Sequence, residues 1–154
     1  MLIMNLVFLF SLVQNQVLVK CPIENGDDVY PYVKVDVGNK IINLILDTGA
    51  PVSSLDTERC KHIKTDWSMQ NEIQLGKRRV MHESAHLDMV IGGKRVNTLF
   101  VPKSTNSINE NNSYYSSIKY DGLLGYDFMR RHRATINIEK MEMSFWYEKN
   151  PNQK

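Results

Sequence analysis

An excess of charge of one sign is missing from this sequence. Nineteen Lys and Arg stand against seventeen Asp and Glu, for a formal net charge of +2. So small an excess leaves no footprint for nucleic acid, and none is expected as a partner. The basic clusters Lys77-Arg78-Arg79 and Arg130, Arg131, Arg133 read as solvated faces, not phosphate sites. Cysteine is nearly absent. Cys21 and Cys60 allow one bridge in an exported chain or two free buried thiols, and nothing denser. No apolar run reaches the about 20 residues a spanning helix needs. No internal repeat is visible. With 154 residues and 42% hydrophobic content, the chain is one domain with enough apolar mass for a core.

Charge is missing altogether from Met1 to Val19, and Leu2 to Val13 is mostly large and apolar. Residues 1–20 are therefore expected to be a signal peptide or membrane anchor, and the protein secreted or membrane-associated through residues 1–19. That would place it in the periplasm or outside a bacterial cell, or in the secretory pathway of a eukaryote. No Lys or Arg precedes the apolar run, and no small-x-small site follows it. The alternative is a terminal helix or strand packed on the domain. A linker is expected over 21–28, the domain over 29–148 and a tail over 149–154.

Within the domain the pattern is short and period-two. Tyr30 to Val37, the turn Gly38-Asn39 and Ile41 to Leu46 read as a hairpin. Ser53, Ser54 and Asp56 read as caps of a short helix through Cys60 and His62. Gly76 marks a hairpin tip. Met81 to Ile91 alternates as a half-buried strand, and Gly92-Gly93 turns it back through Arg95 to Val101. Lys103 to Lys119, rich in Ser and Asn, reads as a long polar loop. A buried strand through Leu123-Leu124, a basic helix over Tyr126 to His132 and two last strands follow. The class is all-β, a small barrel or sandwich.

One acid stands out. The run Ile41 to Leu46 delivers Asp47 onto the turn Asp47-Thr48-Gly49-Ala50. A lone carboxylate at the end of a buried strand is costly and tends to protonate, so Asp47 needs a partner. Leu46-Asp47-Thr48-Gly49-Ala50, followed by Gly122-Leu123-Leu124-Gly125, resembles the retropepsin-like aspartic proteases. The resemblance runs from about Val29 to Glu148. It implies a closed β-barrel with one short C-terminal helix, a homodimer, and a peptide or protein substrate cut by a water held between two copies of Asp47, without a cofactor. It implies that Thr48 bonds across the dimer, that Gly49 and Ala50 leave room for substrate, and that Leu123, Leu124 and Gly125 pack beneath the turn. It places a substrate-covering flap between about Trp67 and Met81, with Ile73, Gln74, Leu75 and Gly76 near its tip. A dimeric module that binds peptides without cutting them is the alternative.

A second motif competes. His82-Glu83-Ser84-Ala85-His86 matches the His-Glu-x-x-His pattern of zinc metalloproteases. That chemistry needs a helix, which puts both His on one face with Glu as base. The alternation here favours a strand, on which four residues span roughly 13 Å. No metal site is expected.

Overall fold

The computed structural model describes residues 16–24, 30–75 and 77–149, among which it forms ten strands and two short helices. Strands β2 (Tyr32–Val37) and β3 (Lys40–Leu46) make the first hairpin. Its turn residues Gly38 and Asn39 both have positive φ, 60° and 69°. That is the twist a two-residue hairpin turn favours. β4 (Ser54–Leu55) is a two-residue strand. β5 (Met69–Leu75) pairs with β6 (Arg78–Ile91), which pairs in turn with β7 (Lys94–Pro102). Helix α1 (Asn106–Asn112), β8 (Gly122–Leu124), α2 (Tyr126–Arg131), β9 (Thr135–Asn137) and β10 (Glu142–Glu148) complete the order after β1 (Gln16–Pro22).

Six strands close a barrel in the order β2-β3-β8-β4-β7-β6, and Asp36 opposite Val90 joins the ends. Closure leaves no open edge around the ring. β3 and β8 run parallel, as do β4 and β7. The interior takes Val33, Val35, Ile42, Leu44, Met89, Ile91, Phe100 and Leu124. A second sheet, β1-β10-β9, is continuous with that core through Val19, Cys21, Met143 and Phe145.

Four sequence expectations change here. The boundary at residue 20 falls inside β1, which pairs with β10 along its whole length, from Gln16–Glu148 to Pro22–Glu142. Val19 and Cys21 turn inward, while Lys20 pairs with Glu142 at 2.9 Å, so the domain takes in residues upstream of Val29. Residues 1–15 of the expected leader, 25–29 of the linker and 150–154 of the tail lie outside the described residues. In addition to the expected short C-terminal helix α2, the Ser/Asn-rich stretch expected to be a loop carries, among the described residues, helix α1. Its polar side chains are bonded internally: Asn109 Nδ2 donates to Tyr120 O at 2.9 Å and its Oδ1 accepts from Tyr120 N at 2.7 Å. Asn112 Nδ2 donates to Ile118 O at 3.1 Å. Composition says solvent, but the hydrogen bonds say a buried scaffold. The helix expected from Asp56 to His62 is a run of turns, and Ser54 lies in a strand. Finally, only residues 85–91 of β6 bury their odd face. Met81 and Glu83 are not buried, because that half of the strand leaves the barrel with β5.

Cys21 and Cys60 are free and buried. Burial, with Glu142 nearby, pushes the Cys21 thiol up to about 11. Burial, with Asp121 and Asp56 nearby, pushes Cys60 up to about 12. Neither is a reactive thiolate at neutral pH.

His132 fastens the end of α2 to β10. Its Nδ1 lies 3.2 Å from Trp146 O, and Trp146 N donates to His132 O at 2.8 Å. A carbonyl only accepts, so Nδ1 carries the proton. Nε2 is buried with no hydrogen-bond partner among the described residues. The ring lies against Phe128 and Phe145, with centroids 4.6 and 5.9 Å away. Burial first, and Arg131 second, lower its pKa below the ordinary 6.5, against the Trp146 carbonyl and Glu148. The unfolded chain therefore takes up this proton first. The contribution is intact above about pH 6.5 and drains away as the pH falls toward the folded value. Urea midpoints should drop between about pH 7.5 and about pH 5, and His132→Phe should flatten that part of the slope.

Candidate active site

Asp47 is placed by two strands. Leu46 stands in parallel register with Leu124, and Asp47 N donates to Leu124 O at 3.1 Å. The chain then turns, with Ala50 N donating to Asp47 O at 3.2 Å. One carboxylate oxygen serves the turn itself: Oδ1 accepts from Gly49 N at 2.9 Å and Ala50 N at 3.1 Å. The other oxygen has no hydrogen-bond partner among the described residues. The backbone thus fixes the carboxylate's orientation and leaves Oδ2 open. Thr48 and Gly49 are exposed on the same turn.

The turn is held from beneath. Ser53 Oγ donates to Asp127 Oδ1 at 2.8 Å and accepts from Gly125 N at 3.0 Å. The same Asp127 oxygen accepts from Ser53 N at 2.9 Å and Phe128 N at 2.8 Å, and Tyr126 N donates to Ala50 O at 2.8 Å. An acid in the first turn of α2 also suits the positive end of the helix. Gly125 is required by space. A Cβ there would lie 2.6 Å from Val52 C and 2.9 Å from Ala50 O, both backbone. Leu124 points into the main core, whereas Leu123 joins Tyr32, Ile45 and Tyr120 in a second cluster against Ala50. Ser53 and Asp127 were not singled out from sequence as parts of the site. The available signal was an acid two residues past a glycine at a helix start.

Asp47 opens onto a cavity of about 440 Å³. Gly49, Ala50, Pro51 and Val52 line it after the turn, Val101, Pro102 and Lys103 at and just past the end of β7, Ser54 from β4 and His82 from β6. Ser54 is 1% exposed, and its Oγ has no hydrogen-bond partner among the described residues. The β5–β6 hairpin that carries His82 occupies the span expected for a flap. Ile73 pairs with Val80, and Gln74 and Leu75 pair in register with Arg79 and Arg78. Gly76 lies outside the described residues.

His82, Glu83 and His86 lie on β6, fully extended. Glu83 projects to the opposite face from both histidines, and the two histidines are separated by roughly 13 Å of strand. This is not the geometry of the zinc motif.

No family model matches the sequence, and no curated protein matches it. Among solved structures, the chain is similar to a retropepsin-like aspartic protease from Rickettsia conorii. The match has 20% identity, covers 86% of this chain and 93% of that one, and has a TM-score of 0.52. The retroviral protease-like domain of Ddi1 from Leishmania major matches at 15% identity over 76% of this chain and 93% of that one, with a TM-score of 0.46. EIAV protease matches at 20% identity over 70% and 92%, with a TM-score of 0.45. The Rickettsia likeness and the closed six-stranded barrel show a retropepsin-like all-β fold.

Proposed function

We propose that this retropepsin-like chain is an aspartic endopeptidase whose active unit is a homodimer, with one Asp47 from each copy. The observation that carries the reading is the carboxylate of Asp47. It is oriented by two backbone N–H groups through Oδ1 and open at Oδ2, at the mouth of a cavity wide enough for a substrate side chain. Two such carboxylates about 3 Å apart cannot both ionise, so the pair holds one proton and titrates as a unit. The ionised carboxylate takes a proton from a bound water, whose oxygen attacks the peptide carbonyl carbon. The protonated carboxyl donates to the carbonyl oxygen, and collapse of the tetrahedral intermediate returns a proton to the leaving nitrogen. In this reading Thr48, exposed beside Asp47, bonds to its twin across the dimer. The β5–β6 hairpin closes over bound peptide and excludes water.

A site made of two halves depends on concentration. Cleavage of a quenched peptide, per mole of chain, should rise with protein concentration and level off once the dimer is saturated. Sedimentation should show the same midpoint. Activity per chain that stays constant through a range where sedimentation shows only monomer would refute the two-chain site. Peptide capture without turnover by a saturated dimer would place the chain with non-cutting binding modules instead.

A further inference from the structure

A second cavity, about 560 Å³, lies between α2, β7 and β10 and is lined by Arg95, Arg130, Arg131 and Arg133. One carboxylate, Glu148, shares it. Four arginines against one acid exceed the whole chain's net charge of +2, so the charge that is diffuse in sequence is concentrated in space. Arg130, Arg131 and Arg133 form no ion pair among the described residues, and Arg95 is 3.9 Å from Asp88 on an exposed face. Arg133 instead bonds to Gln16 and lies over Trp146, 5.5 Å from the ring centroid. The negative end of α2 accounts for Arg130 and Arg131 in its last turn. It does not account for Arg95, which arrives from β7.

We infer that this cavity binds the phosphates of anionic phospholipid headgroups and seats the domain on a membrane surface. Guanidinium forks suit phosphate oxygens, and four of them line this one cavity. What favours a lipid over a free anion is where the chain enters. Gln16 lines the same cavity, and the fifteen residues immediately before it carry no charge and are mostly apolar from Leu2 to Val13. An apolar stretch of sequence and a basic patch where the chain enters the described residues are the two signals that stable membrane attachment takes. Trp146, 38% exposed, and Tyr147 line the cavity as well, and such rings settle at headgroup depth.

The test is flotation of the full chain with vesicles of phosphatidylcholine alone or mixed with phosphatidylglycerol. The wild type should favour the anionic vesicles, and added salt should erode the preference. Arg130→Gln/Arg131→Gln should weaken partition onto anionic vesicles roughly thirtyfold while leaving partition onto neutral ones unchanged. Arg95→Gln, on another element, should weaken it severalfold. Lys61→Gln/Lys64→Gln, which removes two charges away from the cavity, should keep the preference. Thermal melts show that each variant is folded. The inference is overturned if the lysine pair loses as much as the arginine pair, or if anionic and neutral vesicles bind wild type equally. It is equally overturned if inorganic phosphate or a DNA oligonucleotide, at matched phosphate, strips the chain from the vesicles.

Discussion

Asp47→Asn should abolish peptide cleavage, lowering kcat by about 10⁴-fold, while leaving fold and dimer in place. The substitution is mild structurally. Oδ1 is the atom that accepts from Gly49 N and Ala50 N, and an asparagine can present an oxygen there in the same way. The turn, the Leu124 contact and the seat on α2 should survive, so melting temperature and sedimentation should match wild type. What disappears, on the proposed mechanism, is the ionisable pair. An amide neither takes a proton from water nor shares one with its twin. Mixed dimers of one wild-type chain and one Asp47→Asn chain should be equally dead, so adding excess variant should suppress wild-type activity in proportion to the heterodimer formed. A variant that cuts at the wild-type rate would remove Asp47 from the chemistry altogether.

The largest effect on stability should come from Asp56→Ala, at about 3 kcal/mol in urea unfolding. Asp56 is 2% exposed and ties its own turn to the residue before α1. Its Oδ1 accepts from Glu58 N and Arg59 N, each at 3.1 Å, and its Oδ2 from Thr105 N at 2.7 Å, with Thr105 Oγ1 3.0 Å away. Removing the carboxylate leaves the three backbone N–H donors without this acceptor, which costs more than the bonds contributed. Burial by itself would raise this carboxyl's pKa. The donors from Thr105, Arg59 and Glu58 outweigh burial and hold it below the ordinary value. The sign follows: the stabilisation is full above about pH 4, where the unfolded carboxyl is ionised, and is lost as the pH falls through the folded value. The alanine variant should lose that acid-side slope as well as stability at neutral pH. A midpoint shift worth less than about 1 kcal/mol would show that the loops hold without it.

Asp56 also marks where sequence reading stopped. In sequence it looks like a helix cap, because Ser53, Ser54 and Asp56 precede a polar stretch. Its partner, Thr105, is 49 positions away, and nothing local reports that pairing. The Ser/Asn tract misleads for the same reason. Asn109 and Asn112 are polar by type but buried by contact, and contact is not a property of composition. The expected boundary at residue 20 cuts through β1 because Val17, Val19 and Cys21 alternate as a strand that begins inside the uncharged segment.

What the sequence by itself determined was the local grammar. It set the strand into Asp47, the turn at Asp47-Thr48-Gly49, the short helix after Gly125, and the strand through His82 and His86 that argues against a zinc site. These follow from period, turn chemistry and the sterics of a few residues, which act over distances the chain spells out. The tertiary structure alone decided that Leu46 lies beside Leu124, that Ser53 and Asp127 brace the turn, and that Arg95 joins three arginines from the far end of the chain. Those neighbours are set by barrel closure and burial, which couple residues without regard to their separation along the backbone.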